Sequence, residues 1–213
     1  MSRALATWCA FFVFAALCTG PAAAQTSETE TLTKLVVQTI PMGQVMQRFI
    51  DQNPNWPLND KVGNATPEEL KCLRARLGPS GYAAMRSEQV KDFAKRYPDR
   101  VADSIAVLEQ GAAAFSEATF LEGINSTVQG GKADASAVLG KFSARQYSAY
   151  VDFIGNEKHR QLRDLMGIGE TLVPRGRTTE DDKQRQENAG RMMSTRVMLD
   201  AMDYCSVSLK VLR

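Results

Sequence analysis

The sequence predicts an all-α, single-domain bundle of about six to eight helices. Three observations carry this. Apolar residues recur at helical spacing along most of the chain, and no run alternates with the period of two that a half-buried strand requires. Two helix starts are written out in side-chain chemistry, each with a capping box. Glycine and proline fall between the periodic runs, where a helix has to stop.

Residues 1–24 read as a cleaved export signal rather than as part of the fold. A short start carrying Arg3 leads into an almost wholly apolar run, Ala4 to Leu17. Gly20-Pro21 and the small residues Ala22-Ala23-Ala24 follow, which places cleavage before Gln25. The run is shorter than the roughly 20 apolar residues that span a bilayer. Cys18 follows Leu17, where a lipid-modified cysteine wants a small residue, which argues against an anchor there. Residues 25–30 (QTSETE) are polar and expected to be disordered. The helical domain is then 31–213.

From Leu32 onward Leu35, Val36, Ile40, Val45, Met46, Phe49 and Ile50 keep helical spacing, with Pro41 splitting the segment. Asn53-Pro54-Asn55-Trp56-Pro57 is turn chemistry, and the loop runs to Ala65. Thr66-Pro67-Glu68-Glu69 supplies an N-cap, a proline at the first helical position and a capping-box glutamate. Leu70, Leu73 and Leu77 form the stripe of that helix, and Gly78-Pro79 stops it. A second helix turns Tyr82, Met85, Val90, Phe93, Ala94 and Tyr97 inward and ends at Pro98.

Asp99 opens a long third helix through Phe115 and Val128, weakened at Gly111 and Gly123 and ended by Gly130-Gly131. A short helix is expected from Ala135 to Lys141. Ser143 and Gln146 form the second capping box, leading into Tyr147, Tyr150, Val151 and Ile154 with Gly155 as stop; another helix follows from Glu157 to Met166. The last helix is expected from Glu180 to about Leu209. Its stripe is Met198, Met202, Cys205, Leu209 and Leu212, which puts Cys205 on the core face.

The mature chain, roughly 190 residues, is long enough for one domain with a core. The full sequence has 26 basic and 24 acidic residues, and Arg3 leaves with the leader. No basic excess and no Lys/Arg run remain, which excludes the usual nucleic-acid binder. Cys72 and Cys205 survive cleavage, and in an oxidising compartment an even pair reads as a disulfide. Closing so long a loop contributes up to about 5 kcal/mol in the loop-entropy picture.

Adding 77 to the first capped helix lands on the second: Thr66 on Ser143, Leu70 on Tyr147, Leu73 on Tyr150, Leu77 on Ile154, Gly78 on Gly155 and Met85 on Leu162. Among these pairs only the glycine is identical. The pattern is that of two repeated αα-hairpins, or of two unrelated hairpins with the same physics. In the second hairpin, Phe142-Ser143, Phe153, Gly155 and Lys158 resemble the conserved segment of an uncharacterised proteobacterial family of small exported proteins. That segment has a capped helix, an aromatic pair, a Ser-Pro-x-Gly turn and a lysine-bearing helix. Ile154 stands for the second aromatic, and Asn156 and Glu157 stand for the proline and glycine. The resemblance covers about 20 residues and implies a helical periplasmic domain with no established activity. The caps Phe142-Ser143-x-x-Gln146 and Ala65-Thr66-x-x-Glu69 are similar to the L-T-x-x-Q cap of small periplasmic helical chaperones.

No residue set points to catalysis, a metal or a cofactor. His159 is the sole histidine; Glu157 and Asp164 do not share its helix face, so it is expected to be solvated. No G-x-S-x-G motif or phosphate-binding loop is present. Two features suit binding: Trp56 in its loop, as an anchor or as a pin to the core, and the cluster Met192, Met193, Met198 and Met202, as an adaptable groove or as core filling. The expectation is a periplasmic protein, with secretion as the minor alternative, acting by binding another envelope protein or a ligand as an accessory factor or toxin antagonist. A peptidoglycan hydrolase with paired carboxylates and a holdase chaperone are the competing readings.

Overall fold

The computed structural model describes residues 21–128, 130, 134–169 and 179–213. The expected leader falls largely outside the described residues. Among those that are described there are ten α-helices and no strand. None of the helices is long and apolar enough to cross a membrane.

Helix α1 (Pro21–Thr39) lies at the centre, packed against α4 (Pro79–Arg96), α5 (Val101–Val107) and α6 (Ala113–Val128). Leu32, Val36 and Ile40 recur every four residues along one face, and all three are buried. Residues 25–30, expected to be disordered, are helical. The buried stripe downstream already holds the helix nucleus, so extending it upstream orders one residue at a time. Hydroxyls also bond back along it: Thr29 Oγ1 donates to the Thr26 carbonyl at 2.9 Å and Thr33 Oγ1 to that of Thr29 at 2.7 Å. Pro41 breaks the run as expected, and α2 (Met42–Gln52) turns back to pack on α4 and α3 (Pro67–Leu77).

Both capping boxes form. Glu69 N–H reaches Thr66 Oγ1 at 3.2 Å while Thr66 N–H reaches Glu69 Oε2 at 2.7 Å. Gln146 N–H reaches Ser143 Oγ at 3.3 Å while Ser143 N–H reaches Gln146 Oε1 at 3.0 Å. The hairpins they open close differently. Gly78 alone separates α3 from α4, and the reversal is so tight that a Cβ on Gly81 would lie 2.3 Å from the Ala75 carbonyl oxygen. In the second hairpin Gly155 remains in α8 (Ala144–Gly155). The break is made by Asn156 and a 3₁₀ turn, Glu157–His159, before α9 (Arg160–Met166).

The long third helix is kinked between α5 and α6, where the turn Leu108–Ala112 leaves helical geometry at Gly111. Gly111 there has φ of 128°. Its missing side chain admits α8: a Cβ on Gly111 would lie 2.5 Å from Gln146 Cγ and 2.8 Å from Gln146 Cα. The expected short helix is α7 (Ala135–Leu139).

Helix α10 (Thr179–Tyr204) stops five residues short of the expected Leu209. Val207 N–H bonds the Met202 carbonyl at 2.8 Å and Ser206 N–H that of Asp203 at 3.0 Å, with Ser206 at φ of 55°. These are the two bonds of a Schellman stop. The turn changes the register, so Val207 and Val211 are buried in place of Leu209 and Leu212. Cys205 sits at the cap and forms the disulfide with Cys72, the Cα atoms 5.9 Å apart. Arg76 adds a second tie to α10, with Nη2 3.2 Å from Asp200 Oδ1 and its guanidinium 4.1 Å from the centre of the Tyr204 ring. The C-terminal turn Leu209–Leu212 folds back so that Asn64 Nδ2 donates to the Val211 carbonyl at 3.3 Å.

Candidate functional site

Helices α4, α9 and α10 do not close on one another completely, and a groove of about 520 Å³ lies between them. Its apolar lining comes from all three: Met85 and Phe93 of α4, Leu165 and Met166 of α9, and Met193 and Val197 of α10. These are core-facing positions of each helix: Leu165 is half-buried and the other five are buried, lying beneath the groove where α9 ends after seven residues. Gly167, at φ of 80°, makes that end, with Ile168 N–H on the Arg163 carbonyl at 3.1 Å and Gly167 N–H on that of Asp164 at 3.0 Å.

Two buried arginines hold α9 in place. Arg86 Nε donates to the Tyr82 hydroxyl at 2.9 Å, Nη1 to Gln89 Oε1 at 2.7 Å and the Leu165 carbonyl at 3.2 Å, and Nη2 to the Met166 carbonyl at 3.4 Å. It thereby ties α4 to the carbonyl end of α9, where a cation also meets the negative end of the helix dipole. Burial raises the Tyr82 phenol above its ordinary value, with the Arg86 charge and hydrogen bond acting against it. Arg163, 1% exposed, donates through Nη1 to the Phe153 and Asn156 carbonyls at 2.9 and 2.8 Å and through Nε to that of Gly169 at 3.2 Å. The offset of 77 superposes Arg86 on Arg163, a second identity between the hairpins.

The rim is charged unevenly. Asp200 is engaged by Arg76, and Asp92 by Lys95 at 3.7 Å. Arg96 donates Nε to the Asp92 carbonyl at 3.3 Å, and Arg196 lies across the groove on α10. Among the described residues neither Arg96 nor Arg196 forms a salt bridge with a carboxylate. The lining as a whole holds three arginines (Arg86, Arg96, Arg196) and three aspartates (Asp92, Asp164, Asp200), so its formal charges balance and the unevenness lies in the pairing.

The binding residues picked from sequence divide. Met192 is 74% exposed and stands at the groove. Met202 is 2% exposed and Met198 is packed against the core, so both fill the interior. Met193 of the same cluster also lines the groove and is buried, and Met85 and Met166 join it from other helices. Trp56 lies outside the groove; it is half-buried against the core and stacks on Phe49 with ring centres 6.1 Å apart, an arrangement that pins the loop.

His159 is buried, contrary to the expectation of a solvated ring. The cause is the 3₁₀ turn after α8, which swings the imidazole back over that helix: Nε2 lies 3.0 Å from Asp152 Oδ2. Asp152 also accepts from Asn156 Nδ2 at 3.0 Å and pairs with Lys158 Nζ at 3.1 Å. The Asn156 bond, with those from His159 and Lys158, pulls the carboxyl down to about 2. Burial pushes His159 below its ordinary value even though the Asp152 bond opposes it. The neutral ring therefore donates to an ionised Asp152, a latch across the α8–α9 turn. Among the described residues no three His, Cys, Asp or Glu side chains gather as metal ligands.

Sequence reasoning missed Arg86 and Arg163. Their signal was present: Arg86 falls on the stripe of Tyr82, Val90 and Phe93, and Arg163 on that of Leu162 and Met166. An arginine on an apolar stripe is unusual enough to mark a buried clamp. Comparison with family profiles, curated proteins and solved structures finds no match to this chain.

Proposed function

We propose that this chain is an exported periplasmic protein that works by binding, and that its ligand is taken in the groove between α4, α9 and α10. The observation that carries the reading is the groove itself. Its volume lies within the roughly 300–1,000 Å³ typical of ligand sites, its methionines adapt to irregular partners, and two rim arginines have no acidic partner among the described residues. Export is supported by the tripartite leader and by the Cys72–Cys205 bond, since such bonds persist in oxidising compartments. The resemblance of the second hairpin to a family of exported helical proteins agrees with it.

The test has two arms. Fractionated cells should yield a periplasmic chain beginning at Gln25; a chain retaining Met1 in the cytoplasm refutes export. A photo-crosslinking residue at position 192 should give discrete adducts in cells, while one at position 151, exposed on α8 and outside the groove, should not. Equal labelling at both positions, or none at 192, refutes the groove as the binding site. Loss of turbidity when the protein is added to purified cell walls turns the assignment to a hydrolase. Suppressed aggregation of an unfolded client at near-stoichiometric ratio turns it to a holdase.

A further inference from the structure

The groove has the form of a site for a small molecule with one apolar chain and one anionic head, and we infer that its ligand is a monomeric anionic amphiphile carrying a carboxylate or phosphate. This rests on the binding reading above and names the ligand class for the same groove. Three features of the groove lead there.

The first is size and shape. A volume of about 520 Å³ suits a small molecule. A protein partner usually needs on the order of 800 Å² of surface on each side, more than a groove framed by a seven-residue helix offers. The second is lining. Met85, Met166 and Met193, 3%, 0% and 8% exposed, lie beneath the groove, and their unbranched, polarisable side chains can part to admit an alkyl chain without a fixed shape. The third is charge. Of the three arginines and three aspartates that line the groove, Asp200 shares Arg76 with Glu88 and Asp92 pairs with Lys95, whereas Arg96 and Arg196 form no ion pair with a carboxylate among the described residues and can meet an incoming anion. Guanidinium groups bind carboxylate and phosphate oxygens in a planar, two-bond geometry that lysine does not offer. Arg86 is saturated by protein acceptors and keeps α9 in place instead.

Calorimetric titration of the mature protein tests this with laurate and dodecyl phosphate below their critical micelle concentrations. Dodecyl maltoside, dodecyltrimethylammonium, acetate and inorganic phosphate are the comparison ligands. Saturable one-to-one binding of laurate or dodecyl phosphate is expected. The neutral and cationic chains should bind at least about tenfold more weakly, a difference of about 1.4 kcal/mol, and the headgroups alone should give no saturable heat. Arg96→Gln with Arg196→Gln should weaken the anionic chains by a similar factor or more. Both side chains are exposed, and circular dichroism of the double variant should be unchanged.

Equal affinity for the cationic chain, binding unaltered in the double variant, or no saturable heat with either anionic chain overturns the proposal. So does tighter binding of an acidic amphipathic 18-residue peptide than of laurate, which assigns the groove to a protein partner. Discrete crosslinks from position 192 beside a negative titration remove the ligand class and leave the binding reading intact. Absence of both removes the two together.

Discussion

Replacing Gly111 with alanine should destabilise the protein more than any other single-methyl addition to the third helix. At φ of 128° an L residue is strained, which costs on the order of 1–3 kcal/mol. The added Cβ would also meet Gln146 at 2.5 Å from Cγ, 2.6 Å from Cβ and 2.8 Å from Cα. A rotamer change can move Cγ, but Cα moves only with α8 itself. Overpacking of this kind costs roughly another 1–3 kcal/mol. The total, about 2–6 kcal/mol, is a large part of the roughly 5–15 kcal/mol that holds a domain folded. At about 2–4 °C for each kcal/mol in a chain of this size, the midpoint should fall by roughly 4–24 °C. Gly123 on the same helix provides the control, because a Cβ there meets nothing within 4 Å. Gly123→Ala should stabilise by about 0.5–1 kcal/mol through helix propensity alone. Urea unfolding of the two variants, with midpoint and slope fitted together, measures the contrast. A loss below about 1 kcal/mol for Gly111→Ala with an unchanged slope would refute the claim that α8 seats in the turn at Gly111.

Other consequences are as direct. Reducing Cys72–Cys205, 133 residues apart in sequence, should lower stability by up to about 5 kcal/mol; equal urea midpoints with and without reductant would count against the clasp. Arg163→Leu strands the Phe153, Asn156 and Gly169 carbonyls and should cost about 3–5 kcal/mol. Arg163→Lys should recover only part of this, since one ammonium cannot span three acceptors set for a guanidinium. Full rescue by lysine would show the charge alone to matter. Ser206→Gly relieves a left-handed serine in the stop of α10 and should raise stability by about 1 kcal/mol; a loss of stability would contradict that geometry.

The latch predicts two steps in stability against pH. His159 titrates lower in the fold than its ordinary 6.5, so below that pH the unfolded chain binds the extra proton first and stability falls as pH drops through the window. Asp152 titrates at about 2 against an ordinary 3.8, so its contribution is complete above 3.8 and is lost as pH falls towards 2. His159→Gln should abolish the upper step and keep a smaller lower one, because the Asn156 and Lys158 contacts still hold Asp152 down after the His159 bond is lost. Because His159 is the sole histidine, an upper step that persists in the variant would exclude this assignment.

What could be read from sequence was what neighbouring residues decide among themselves. Both capping boxes, the break at Pro41 and most of the buried faces of α3 and α4 depend on spacings of a few residues and formed as read; Tyr97, expected inward, is exposed just past the end of α4, and Leu70 is half-buried. The disulfide was legible because Cys72 and Cys205 are the two cysteines outside the expected leader, and two cysteines have one pairing. The tertiary structure decided everything that joins distant segments. Local pattern made Gly111 a weak point in a helix, but its open φ and missing side chain are the seat of α8. Periodicity carried the last helix to Leu209, whereas the turn at Ser206 shifts the register and buries Val207 and Val211 instead. Met202 and Met192 share a methionine-rich helix, and only the packing of α10 on α3 puts one in the core and the other at the groove. Hydrophobic period reports that a face will be covered; it carries no information about which helix covers it or where the cover ends. The groove is one such end, and the folded chain alone brings Arg96 and Arg196 to its rim.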